Sequence, residues 1–152
     1  MVAGAGCSGD ESGSGDEPLT AAEYRKQGNA LCKEAVREAE AIPAPGSPDD
    51  IADYLETVFA TSEKVTNEFV ELEPPEALQA DHERAVELSR ESEKTFDDLI
   101  ERVRDASDPQ AAVRREFSKL APDLARAEEL NTKLGLEECN ETGPPPEQPA
   151  PS

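Results

Sequence analysis

The clearest helical pattern in the chain lies in residues 47–72, SPDDIADYLETVFATSEKVTNEFVEL. Its inward positions recur in alternating steps of four and three residues, which is the spacing of one face of an α-helix. Ser47 as the N-cap and Pro48 at the first helical position predict where the helix begins, and Pro74-Pro75 ends it. The stripe consists of Ile51, Leu55, Val58, Ser62, Val65, Phe69 and Leu72.

Three further stripes with the same period lie on either side of this segment. The first follows a capping box formed by Thr20 and Glu23, and the last follows Asp108-Pro109 and ends at Gly135, a residue suited to a left-handed C-terminal cap. Pro122 predicts a kink in the last helix near residues 118–121. The stripes are Tyr24, Gly28, Leu31, Ala35, Ala39 and Ile42; Leu78, His82, Ala85, Leu88, Ser92, Phe96, Leu99 and Val103; and Val113, Phe117, Leu120, Leu124, Ala127, Leu130 and Leu134.

Four such stripes joined by short connections predict an all-α fold, an antiparallel up-down four-helix bundle over residues 18–139. Residues 1–17 are rich in Gly, Ser and acidic residues and are interpreted as a lipobox remnant and flexible tether. Residues 140–152 are a Pro-rich tail that we expect to be disordered. Six aromatic side chains lie on or beside the stripes and are predicted to form the core: Tyr24, Tyr54, Phe59, Phe69, Phe96 and Phe117.

Composition excludes several classes of function. The 152 residues carry a formal net charge of −20 and only 4% aromatic residues. Nucleic acid is excluded as a partner because phosphate binding needs a basic surface, and the same charge opposes docking of a basic patch on anionic lipid. The sequence contains no run of about 18 apolar residues that would predict a membrane span.

The three cysteines differ in their surroundings. Cys32 lies in the first helix and Cys139 follows the last one, and the first and last helices of an up-down bundle are expected to be neighbours. These two could therefore pair, which would indicate an oxidising compartment. The alternative is that they are two unrelated buried thiols of a cytosolic protein.

Cys7 lies in the sequence VAGAGCSGD, which resembles the end of a bacterial lipoprotein signal. Small residues at Ala5 and Gly6 suit the signal peptidase, and the cysteine would receive the lipid. Gly4 departs from the aliphatic residue that is usual at its position. We expect the gene to encode a basic segment and an apolar run upstream of Met1. An incidental cysteine in a leader is the alternative.

The chain resembles a group of small actinobacterial lipoproteins of unknown activity. The matching stretches span most of residues 20–139, and the cysteines are their most distinctive feature. The resemblance implies an exported, lipid-anchored bundle with a Cys32–Cys139 bridge, and it implies no catalytic residue. The matching residues are Tyr24, Asn29-Ala30-Leu31-Cys32, Leu72-Glu73-Pro74-Pro75, His82, Leu134-Gly135-Leu136 and Cys139.

Candidate sites for chemistry are few. His82 is the only histidine, so a di-metal site of the Glu-x-x-His type is excluded, and we predict neither a metal nor a cofactor. Ser62 and Ser92 lie at similar depth on facing helices and, with His82, form a candidate ligand pocket inside the bundle. The alternative is that the serines only allow the helices to approach closely. No nucleophile and base are spaced for catalysis, which predicts a protein that is not an enzyme.

The functional prediction is a non-enzymatic, extracytoplasmic protein of the cell envelope, anchored to the membrane by a lipid on Cys7. Its predicted role is to bind or scaffold an unknown envelope protein at the cell surface. The alternative is a carrier of a small ligand or a cation in the bundle interior. A cavity of about 300 Å³ or more at Ser62 and Ser92 would favour the carrier. A filled interior with an exposed apolar patch would favour the scaffold.

Overall fold

The computed structural model describes residues 17–141, which form four α-helices with short connections. A 3₁₀ turn, Pro48–Asp50, precedes the second helix and another, Glu137–Asn140, follows the fourth. These described residues form no strand, so the predicted all-α class with four helices is confirmed. The helices are α1 (Ala21–Glu40), α2 (Ile51–Val70), α3 (Glu76–Arg104) and α4 (Pro109–Leu134).

Local hydrogen bonds at the helix ends confirm three predicted caps. Thr20 and Glu23 form the capping box: the Glu23 amide donates to Thr20 Oγ1 and the Thr20 amide donates to the Glu23 carboxylate. Asp108 accepts a 2.9 Å hydrogen bond from the amide of Ala111 at the start of α4. Gly135 ends α4 with φ of 77°, a left-handed conformation that glycine adopts without steric cost.

Ser47 is the N-cap residue of the turn Pro48–Asp50, as predicted, but its side chain makes no capping hydrogen bond. The Ser47 hydroxyl lies 2.8 Å from the Asp50 carboxylate, to which it donates, and it accepts no hydrogen bond from a backbone amide. The chain passes through the turn Pro48–Asp50 before α2 begins at Ile51.

Buried apolar side chains form two clusters at opposite ends of the bundle. The large cluster combines the start of α2, the end of α3 and the first half of α4. The small cluster combines the start of α1, the start of α3, the end of α4 and the segment after it. The large cluster consists of Ile51, Ala52, Leu55, Leu99, Ile100, Val103, Ala112 and Leu120, and the small cluster of Tyr24, Ala85, Leu134 and Leu136.

Contacts within and around these clusters also show which ends of the helices lie close together. Tyr24, near the start of α1, contacts Phe69, near the end of α2, and both contact His82, near the start of α3. Ile51, at the start of α2, shares the large cluster with Val103, near the end of α3. The start of α1 therefore lies near the end of α2, and the start of α2 lies near the end of α3.

In the first half of α4, Leu120 is buried and Val113 packs against the large cluster as predicted, but Phe117 departs from the predicted face. Ala112, Glu116 and Leu120 are buried, whereas the Phe117 side chain is 36% exposed. The prediction that all six aromatic residues belong to the core is therefore wrong for Phe117. The neighbouring Glu116 is buried instead, beneath an ion cluster described below.

α1 packs against α2 and against the turn Glu137–Asn140 rather than along the length of α4. Leu136 fills the space between them and is fully buried against Gly28, where a Cβ atom would lie 2.6 Å from Leu136 Cδ2. The first and last helices meet where the start of α1 reaches the end of α4, through Tyr24 and Arg25, and Leu136 fills the space beside this contact.

α4 is continuous through Pro122, and the kink predicted there stays a prediction. None of the helices in the described range combines the length and the apolar character needed to cross a membrane.

Candidate functional site: a cavity between the two core clusters

A cavity of about 530 Å³ lies in the middle of the bundle, partly open to solvent. Its walls come from α2, α3 and α4, and the end near α1 is formed by Leu136 and the two cysteines of the bundle. The residues that line it are Cys32, Glu56, Phe59, Ala60, Ser62, Glu63, Val65, Thr66, Phe69, Ala85, Leu88, Ser89, Ser92, Glu93, Phe96, Asp97, Ile100, Leu124, Ala127, Leu130, Asn131, Leu136 and Cys139.

The cavity exists because the middle of the bundle lacks large buried side chains. α2 has no buried residue after Leu55, and α3 has none between Ala85 and Leu99. The stripe positions there include Ser62 and Ser92, whose side chains are short, and the larger stripe residues Val58, Val65 and Leu88 are only half-buried.

Ser62 and Ser92 both line this cavity, as the sequence predicts for two of the three proposed pocket residues. Each hydroxyl donates to a carbonyl of its own helix: Ser92 to Leu88 at 2.9 Å and Ser62 to Val58 at 3.5 Å. Ser92 is half-buried and Ser62 is exposed, so Ser62 belongs to the mouth of the cavity. Bonded in this way, the hydroxyls add little polarity to the wall.

Aromatic rings mark both ends of the cavity. Phe59 of α2 and Phe96 of α3 stack with their ring centroids 4.0 Å apart, next to the large cluster. Phe69 lies at the other end, next to the small cluster. All three rings are half-buried, and they offer flat apolar surfaces to a bound molecule.

His82 lies outside this cavity, so the three predicted pocket residues do not share one site. Its ring is buried between those of Tyr24 and Phe69, and its Nδ1 atom shares a 3.0 Å hydrogen bond with the Tyr24 hydroxyl. Burial lowers the pKa of His82, although the nearby Glu83 carboxylate acts in the opposite direction. Burial raises the pKa of Tyr24. Both rings are therefore held neutral, as packing residues of the small cluster.

The Cys32–Cys139 disulfide is present, with its Cα atoms 5.0 Å apart, and it lines the cavity. It fastens the turn after α4 to α1. Asn29 supports the same junction, because its Nδ2 donates to the Gly135 carbonyl and its Oδ1 accepts from the Glu138 amide, both at 3.0 Å. Sequence reasoning missed this role of Asn29, which an asparagine one turn from a bridged cysteine could have suggested.

The charged side chains that line the cavity are all acidic. Four carboxylates lie on its walls, and none of the lining residues is Lys, Arg or His. Arg104 pairs with Glu56 at 2.9 Å, whereas the other three carboxylates take part in no ion pair within the described range. The carboxylates are Glu56, Glu63, Glu93 and Asp97.

Among residues 17–141, no group of three or more His, Cys, Asp or Glu side chains is placed to hold a metal ion. The cavity thus offers apolar surface, satisfied hydroxyls and negative charge. This combination suits the binding of a small molecule.

The predicted lipidation site Cys7 lies outside the described residues, as do nearly all of the predicted tether 1–17 and most of the predicted tail 140–152. The lipid anchor and the disorder of these segments stay predictions.

Comparisons with known proteins identify no relative. No protein-family model matches the chain, and no curated protein and no solved structure shows significant similarity to it. The resemblance to small actinobacterial lipoproteins therefore stays a prediction.

Proposed function

We propose that this protein is a non-enzymatic binding protein that holds a small, mainly apolar ligand in the central cavity. The observation that carries the proposal is a cavity of about 530 Å³ at Ser62 and Ser92, between two separate core clusters. Ligand sites are typically about 300–1,000 Å³ in volume and mainly apolar in lining. The apolar lining supports a small-ligand carrier over a cation carrier.

The conformation of the cavity is held from both ends. On one side of the cavity, the large cluster packs α2, α3 and α4 together. On the other side, the disulfide and Leu136 hold α1 and the turn Glu137–Asn140 in place. A site with fixed walls loses little conformational entropy when a ligand enters, which favours binding.

A direct test is the binding of the neutral dye N-phenyl-1-naphthylamine to the oxidised full-length chain, followed by fluorescence. We expect saturable binding that Ala127→Phe abolishes, because Ala127 lines the cavity and the ring would occupy it. The matched control is Ala125→Phe, at an exposed position of the same helix that does not line the cavity.

Circular dichroism checks that both variants remain helical. Equal binding by both variants, or no saturable binding by the parent chain, would contradict the proposal.

We further propose that the protein works in an extracytoplasmic compartment, anchored by a lipid on Cys7. The disulfide supports this placement, because such bridges persist in oxidising compartments. The test is mass spectrometry of the N-terminal peptide together with membrane fractionation. We expect a diacylglycerol on Cys7 and release of the Cys7→Ala variant from the membrane fraction, and an unmodified thiol in the native protein would refute the anchor.

Scaffolding of an envelope protein is the second candidate function. The observation that favours it is the exposure of two large apolar side chains on α4, Phe117 at 36% and Leu124 at 47%. Single exposed apolar residues are common on protein surfaces, however, and the interior is not filled. The cavity therefore supports ligand binding more strongly than scaffolding.

A further inference from the structure

We infer that the ligand of the central cavity is an amphiphile with one apolar body and a cationic head group. The inference rests on the proposed function and adds the chemical class of the ligand. It follows from the way apolar and charged side chains are distributed between the depth of the cavity and its mouth.

The depth of the cavity is apolar. Ala85, Ile100 and Leu136 are buried on its inner wall, and Leu88 and Leu130 are half-buried beside them. A hydrocarbon chain or a ring system placed there would exchange contact with water for contact with these side chains. Burial of the apolar body would therefore supply most of the binding free energy.

The mouth of the cavity is acidic. Of the lining carboxylates, Glu56, Glu63 and Asp97 are exposed, and Glu93 is half-buried. Arg104 pairs with Glu56 and also with Asp53, whereas Glu63, Glu93 and Asp97 have no ion-pair partner among the residues of the structure. An anionic head group would meet three like charges there, whereas a cationic one would meet three opposite charges.

The charge of the whole chain acts in the same direction. With a formal net charge of −20, the protein attracts cations from a distance, and salt screens that attraction. A test must therefore separate charges at the mouth from charges elsewhere on the surface. α3 allows this separation, because it carries acidic residues that line the cavity and acidic residues that do not.

The experiment compares three probes that share a dodecyl chain and differ only in the head group: dodecylamine, dodecanol and dodecanoate. Each competes with the neutral dye on the oxidised full-length chain at pH 7, below its aggregation concentration. We expect dodecylamine to bind at least about tenfold more tightly than dodecanol, and dodecanoate to bind most weakly.

Two double variants of α3 then locate the effect. Glu93→Gln with Asp97→Asn removes two charges at the mouth and should reduce the preference for dodecylamine over dodecanol to within about threefold. Glu87→Gln with Glu91→Gln removes the same charge from exposed positions that do not line the cavity, and it should leave the preference unchanged.

The outcomes are distinguishable. If none of the three probes binds, the proposed function itself fails. If dodecanol binds but dodecylamine gains no affinity over it, the cavity is a ligand site and only the cationic class is refuted. If both double variants reduce the preference equally, general surface charge accounts for it and the inference is also refuted.

Discussion

At Glu116, three cationic side chains surround one carboxylate that lies at an inward position of α4. The carboxylate accepts hydrogen bonds from Lys119 at 2.8 and 2.9 Å, from Arg102 at 2.9 Å and from Arg115 at 3.0 Å. Its side chain is only 4% exposed, whereas each of the three cations is more than half exposed. The cations thus cover the carboxylate and keep their own charges in water.

The first prediction concerns the acid stability that Glu116 contributes. Hydrogen bonds from Lys119 and Arg102 lower the pKa of Glu116 from 4.5 to about 2. Because the pKa is lower in the folded state, this contribution is complete above pH 4.5 and is lost as the pH falls towards 2. Glu116→Gln should therefore be less stable than the parent chain at neutral pH, and the difference should shrink below pH 4.5.

Urea denaturation of both proteins between pH 7 and pH 2 measures this difference. A difference in the free energy of unfolding that stays constant from neutral pH down to pH 2 would contradict the assigned pKa. Asp123→Asn is a suitable control, because Asp123 pairs with Arg126 on the same helix at a longer distance, 3.4 Å, and its carboxylate is more exposed.

At the scale of elements, α1 depends on its attachment to the segment after α4. Tyr24 joins it to the small cluster, Leu136 packs against Gly28, and Arg25 donates to the Leu134 carbonyl at 3.1 Å. Cys32 and Cys139 close a loop with a sequence separation of 107 residues, which restricts the unfolded chain strongly. The bridge therefore connects the two ends of the bundle sequence.

The second prediction is that loss of this bridge destabilises the bundle. Reduction, or Cys32→Ser with Cys139→Ser, should lower the free energy of unfolding by about 2–5 kcal/mol, because the unfolded chain regains the entropy of an open loop. Thermal and urea unfolding measure the loss. Cys7→Ser is the control and should unfold like the parent chain.

Reducing agent should have no further effect on the double variant. If the oxidised and reduced parent chains melted at the same temperature, the bridge would contribute nothing to stability. Three free thiols in the oxidised protein would contradict the pairing itself.

At the scale of the whole molecule, a divided core and a high negative charge both limit stability. The cavity replaces buried side chains between the two clusters, so the middle of the bundle contributes little apolar burial. The charge of −20 adds repulsion in the compact state that the unfolded chain relieves. Ligand binding in the cavity would compensate for the missing apolar burial and so stabilise the folded state.

The third prediction follows from the charge. Raising NaCl from about 0.01 M to about 1 M shortens the Debye length from about 30 Å to about 3 Å and should raise the melting temperature. Differential scanning calorimetry at pH 7 measures the shift. At pH 4.3, the isoelectric point of the sequence, the same salt should have little effect, and an equal shift at both pH values would rule out charge repulsion as the cause.

The sequence by itself determined the local structure of this protein. Helical periodicity, the capping box at Thr20 and Glu23, and the left-handed end at Gly135 depend on residues within about four positions of each other, so they can be read directly from the chain. Ser62 and Ser92 were also recognisable as small polar residues on apolar stripes. Their place in one cavity agrees with the contacts of Phe59 with Phe96 and of Phe69 with His82, which lie on either side of them along α2 and α3.

Only the tertiary structure decided which faces meet and what lies between them. Glu116 is buried and Phe117 is exposed, with cations from α3 and α4 covering the Glu116 carboxylate, and Leu136 packs against α1 where Gly28 leaves room for it. His82 shares a hydrogen bond with Tyr24 and does not lie with the two serines. Such arrangements depend on several helices packing at once, and helical periodicity constrains each helix separately. The sequence could therefore suggest a cavity at the two serines, but only the packing of the helices shows that one is present.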